Sequence, residues 1–222
     1  MQLLHDAWLI FLKDVRQEFK TRYSVNAILL FALVTLVAVS FSIGTFNAGS
    51  DIKSALLWII IFFSAMSGLS HIFVREEDKH TADTLKLVAQ PTGIFLGKFL
   101  FNLVLLCLLE IITVPLFFAV MDFEIKGVSL FISVLILGSV GLSAGATMTA
   151  AIISKASAKG ALFAVLSFPI LLPVIIAGIS GTKIAVQQTA ISEASGELQM
   201  LFAYSVVVIT AAILLFDFVW NE

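Results

Sequence analysis

Two stretches of this chain, Val25 to Ser50 and Gly127 to Ser154, carry no charged side chain. Runs of that length are too long for strands and too apolar on every side for helices that face water. A bilayer core about 30 Å thick takes roughly 20 apolar residues of helix. Both runs meet that requirement, and four further segments meet it too. The expected spans are residues 25–46, 54–74, 94–121, 128–153, 160–181 and 198–219. A transmembrane β-barrel would show short alternating segments instead, and none occur. The expected fold is an all-α integral membrane protein with six transmembrane helices.

Composition supports that fold and excludes several function classes. Of 222 residues, 60% are apolar and 13% charged, too little polar surface to cover a soluble core. No loop is long enough to fold alone, so residues 1–222 read as one membrane domain. No basic block suggests nucleic-acid binding.

Orientation is expected from the loop charges. With the N-terminus inside, the cytoplasmic set is Lys13, Arg16, Lys20, Arg22, Arg75, Lys79, Lys86, Lys98, Lys155 and Lys159. The other side receives only Lys53, Lys126 and Lys183. Basic residues of short loops stay in the cytoplasm, so both termini are expected there. Residues 1–24 do not read as a secretory signal, because their basic residues follow the apolar part. Leu4, Trp8, Phe11, Val15 and Phe19 recur at helical spacing, as in an amphipathic helix lying in the membrane interface. The same stripe would also suit a cap packed on the bundle.

No catalytic or cofactor motif emerges. There is no P-loop, no metal-spaced His/Asp/Glu set, no covalent haem motif and no nucleophile elbow. The single cysteine, Cys107, lies in an apolar run and is expected in the core. His5, His71 and His80 show no pairing at matched depth and read as solvated or interfacial.

Glu110 falls near the middle of the third span, where a charge costs ~2.5–3.5 kcal/mol on insertion scales. It is expected to face the bundle interior, either on a gating or substrate path or as a packing residue. Pro115 follows and removes a backbone donor. Gly138, Gly141, Gly145 and Thr149 form a stripe of small residues for a close helix contact, in this chain or with a second copy. In the fifth span, Pro169 and Pro173 are expected to break or kink the helix and are the hinge candidates.

The segment from Phe73 to Asn102 is densely charged in its first half. Thr81, Leu85 and Val88, with Asp83 and Lys86 between them, suggest a short amphipathic helix ended by Pro91-Thr92-Gly93. Such a helix suits docking on the cytoplasmic face, although charge runs also occur as plain solvated loops.

Two motifs carry a resemblance. The first is Arg75-Glu76, Thr81, Asp83, Leu85, Pro91, Gly97-Lys98 and Phe101-Asn102; the second is Phe168-Pro169, Leu172-Pro173 and Gly178. With the length and the span pattern, they resemble the haem exporter protein B (CcmB) family over nearly the whole chain. That resemblance implies an ABC-2-type exporter-like fold and a permease subunit of cytochrome c biogenesis in the bacterial inner membrane. It implies no cofactor bound by the chain itself, haem as a handled ligand, and ATP in a separate CcmA-like ATPase. It further implies CcmC-, CcmD- and CcmE-like partners and a homodimer within the complex. Arg75, Glu76, Asp83 and Leu85 would couple to the ATPase. Related exporters usually carry glycine where this chain has His80, a residue that tolerates positive φ better than most. The wider alternative is an ABC-2-type permease for a lipid, polysaccharide or other small substrate.

Overall fold

The structure, a computed structural model, describes residues 2–43, 49–154 and 159–221. Residues 44–46 of the first expected span and Lys155 lie outside them. The helices in chain order are α1 (Gln2–Thr21), α2 (Tyr23–Ile43), α3 (Ser50–Leu69), α4 (His71–Asp78), α5 (Ala82–Val88), α6 (Pro91–Met121), α7 (Val128–Ile153), α8 (Lys159–Gln187) and α9 (Ser195–Asn221). A 3-10 turn, Ile191–Ala194, precedes α9. No strand occurs among the described residues.

Six helical segments are long and apolar enough to cross a membrane: α2, α3 continued by α4, α6, α7, α8 and α9. Each segment overlaps one expected span, and the fifth runs on to Gln187, beyond the expected end at 181. The short helix α5 ends at Val88, ahead of Pro91 as expected, and Pro91 also opens α6. At the first helical position its missing N–H costs nothing and its fixed φ favours the turn.

Six crossings put the two described ends on one side of the bundle. There α1 packs along the first half of α6, and Trp220 of α9 rests against Phe73 of α4, ring centroids 5.4 Å apart. On the opposite side Lys53 donates to the Asp122 carbonyl at 2.9 Å, and Gly127 N–H to the Ala185 carbonyl at 2.8 Å.

The interior is built from α3, α6, α7 and α8. Trp58 of α3 is fully buried and donates to Thr182 of α8 at 2.9 Å. Its ring lies where a Cβ on Gly138 (2.2 Å) or Gly178 (2.5 Å) would stand, so both positions must lack a side chain. The small-residue stripe of α7 is spent inside this one chain: Gly138 faces Trp58, Gly141 faces Val174 and Ser205, and Gly145 faces Leu171.

One expectation needs correcting and another is narrowed. Cys107 is exposed on the outside of the bundle, because the inward face of α6 is taken by Leu105, Leu106 and Leu109. Of the break or kink expected at Pro169 and Pro173, no break occurs, and α8 runs on through both. Here the Tyr204 hydroxyl of α9 donates to the Ile170 carbonyl, giving that carbonyl a donor in the segment where proline removes N–H groups.

Candidate functional site

The polypeptide between the second and third spans forms an elbow of α4 and α5. The helix α4 ends in a Schellman turn. His80 N–H donates to the Glu77 carbonyl and Thr81 N–H to the Glu76 carbonyl, both at 3.0 Å. His80 occupies the left-handed position at φ 55°. The histidine in the usual glycine position therefore keeps the turn.

Under the elbow lies a cluster of charges sealed from water. Lys98 of α6 is 0% exposed, and its ammonium meets Asp14 of α1 at 3.2 Å and Glu76 of α4 at 3.0 Å. It also donates to the Ile72 carbonyl at 3.1 Å and sits 5.2 Å from the centre of the Phe73 ring. Lys13 bridges Asp14 and Glu76 from the half-exposed side. Thr81 donates its hydroxyl to the second Glu76 oxygen. A neighbouring pair extends the cluster: Arg75 donates to Glu18 at 3.3 Å, and the other Glu18 oxygen accepts from Val25 N–H at 3.0 Å. That last bond satisfies one of the open donors at the start of α2.

Three cations thus face three anions, and together they tie α1, α2, α4 and α6. Burial this deep is tolerable only when the charges are paired, and each of the six has an ion partner; Asp14 Oδ1 meets Lys13 at 3.3 Å without a hydrogen bond. Close backbone approach makes the pairing geometric: a Cβ on Gly97 would lie 2.6 Å from the Ala7 carbonyl oxygen. The Gly97-Lys98 pair is therefore one device, glycine admitting α1 and lysine bonding it.

The helix α1 buries Ala7, Ile10, Asp14 and Glu18 and leaves Leu4, Trp8 and Phe19 exposed. One face packs on α6, and the expected stripe divides: Phe11 and Val15 pack against the core while Leu4, Trp8 and Phe19 are exposed. Asp14 and Glu18 escaped the sequence reading because the apolar stripe masked them as ordinary polar-face residues. Their spacing of four was the available signal.

The coupling candidates divide in two. Glu76 is buried and Arg75 partly so, both held in the charge cluster. Asp83 is exposed on α5, and Leu85 turns partly inward against the core. The inward face of α5 is Ala82, Leu85 and Ala89; Val88, expected beside Leu85, is instead 76% exposed, and Leu87 is 88% exposed. Lys86 lies 5.6 Å from the Trp220 ring, fixing the rotation of α5.

Above the cluster a polar seam runs between α6 and α7. Lys98, Asn102 and Glu110 fall on one stripe of α6, and Ser139, Ser143 and Thr147 on one stripe of α7. Asn102 donates to Thr147 at 2.9 Å. Ser139 Oγ lies 2.6 and 2.8 Å from the Glu110 carboxyl oxygens and 2.7 Å from the Leu135 carbonyl. One hydroxyl proton cannot serve three acceptors at once. Ser139 Oγ therefore shares its one proton between the Glu110 carboxyl of α6 and the Leu135 carbonyl of its own helix, and so links the two helices. Pro169 and Pro173 lie on α8, Pro169 exposed and Pro173 half-buried.

The histidines remain apart: His5 on α1, His71 edge-on to Tyr23 with centroids 5.0 Å apart, and His80 at the turn. Among the described residues no three His, Cys, Asp or Glu side chains could hold a metal ion together.

Six helices fit to cross a membrane, an N-terminal helix packed along α6 and an elbow over a buried charge cluster define an integral membrane protein. A model of the CcmB protein family matches residues 5–218, nearly the whole chain. The chain belongs to the CcmB family and so to the haem-exporter ABC system of cytochrome c maturation. No curated protein matches it.

Proposed function

We propose that this chain is the non-catalytic permease subunit that couples ATP hydrolysis in a separate CcmA-like subunit to haem handling. The work done is haem export or release of a haem-loaded CcmE-like chaperone at the outer face. The complex contains two copies of the chain with CcmC- and CcmD-like partners in the bacterial inner membrane, and both termini are cytoplasmic. The charge distribution supports that orientation, since the elbow lies on the side richest in Lys and Arg.

One observation carries the coupling reading: an exposed acidic and apolar edge, Asp83, Leu87 and Val88, stands on an elbow whose α4 is ion-paired to α1 and α6. Exposed apolar side chains at a membrane protein's aqueous end are costly unless covered. Arg75 and Glu76 act in this scheme as positioning residues, transmitting motion of α5 to α1 and α6. The polar seam with Glu110 and the proline-bearing α8 respond to that motion. A ligand must bind the two resulting states differently for the cycle to do work.

The test is co-purification of the ATPase subunit and the cellular level of c-type cytochromes. Asp83→Lys and Leu87→Asp are expected to abolish both while this chain remains in the membrane at normal level. Normal co-purification with normal cytochromes in the double variant would refute the docking edge.

A further inference from the structure

A groove of about 390 Å³ opens between α1, α2 and α6 on the same side as the elbow. Its lining includes Phe19, Phe101, Leu105 and Leu108, together with the exposed polar residues Arg22 and Asn26. From Phe101 to Leu108 the α6 wall climbs roughly 10 Å toward the bilayer middle, at about 1.5 Å per residue. We propose that this groove binds one phospholipid with an anionic headgroup, its acyl chain along α6 and its phosphate at Arg22.

Charge complementarity selects the occupant. No carboxylate of the described residues pairs with Arg22. Glu18, the one acid lining the groove, has both oxygens engaged by Arg75 and Val25 N–H. An exposed guanidinium fork matches a phosphate, and a zwitterionic lipid's ammonium finds no free carboxylate. The leaflet on the basic side of a membrane protein also carries the anionic lipids.

The backbone supplies a second argument. Arg22 sits in the left-handed region at φ 52°, between the end of α1 and the start of α2. Glycine would adopt that conformation without strain, so the strain is retained with a side chain that glycine would lack.

Native mass spectrometry of the full chain, with phosphatidylglycerol or phosphatidylcholine of identical acyl chains, tests the assignment. The wild type is expected to retain phosphatidylglycerol in preference. Arg22→Gly is expected to lower that retention about fivefold, as one basic residue at a membrane surface should, while the thermal midpoint holds or rises. Arg16→Gln, outside the groove, should change neither. Equal retention of the two lipids, or equal losses from both variants, would overturn the proposal. A photoreactive benzoylphenylalanine at Leu108 in native membranes should yield a lipid adduct. A cross-linked dimer, or an adduct with haem or another protein, would show a different occupant and overturn it equally.

Discussion

Lys98 has no contact with water and holds Asp14 and Glu76 together. Removing one member of a buried ion set leaves the others desolvated without a partner, at a cost of about 3–5 kcal/mol. Lys98→Met should therefore lower the thermal midpoint sharply. Adding Asp14→Asn and Glu76→Gln to it should recover much of the loss, and a triple variant no better than the single would sink this account. His80 makes the opposite kind of prediction. At φ 55° it pays the left-handed penalty of any side chain, so His80→Gly should be neutral or stabilising. His80→Val should cost on the order of 1 kcal/mol, read as a lower midpoint, because β-branching is the poorest fit to that region. Equal midpoints for the glycine and valine variants would remove the turn from the argument.

At the scale of helices, contact between α3, α7 and α8 is set by the Trp58 ring. Gly138→Ala would place a Cβ 2.2 Å from that ring, and the displacement should cost roughly 1–3 kcal/mol. Gly196→Ala is the control, since nothing lies within 4 Å of its added Cβ and alanine favours a helix by about 1 kcal/mol. Thermal melts of the two in one detergent should move in opposite directions. The α6–α7 pairing depends on Glu110 and Ser139. Glu110→Gln keeps a hydrogen-bond partner for Ser139 Oγ and should fold normally, whereas Glu110→Leu leaves Ser139 without its cross-helix partner and should lose about 1–3 kcal/mol. Indistinguishable melts would show that the bond contributes nothing to the pairing.

For the molecule as a whole, six crossings place the α5 tip and the α6–α7 loop on opposite sides. Thr84→Cys and Lys126→Cys should react with a membrane-impermeant maleimide from opposite faces. Cys107 needs no removal, because it faces the apolar surround of α6 and should stay unlabelled. Labelling of both positions from one face would contradict the topology. The sequence by itself determined the number of spans and the place of the elbow, because burial in lipid demands long uncharged runs whatever their neighbours. It also carried the family motif, but not why that motif exists. Asp14 lies 84 residues from Lys98, and only folding brings it to the point where Lys98 meets Glu76. Periodicity ranks helix faces by hydropathy, yet in a membrane the apolar face turns to lipid as readily as to protein. Cys107 was therefore expected in the core and points out, while Asp14 and Lys98 are polar and buried. Tertiary structure alone decided these cases, since a buried charge is tolerated only where another helix delivers its partner.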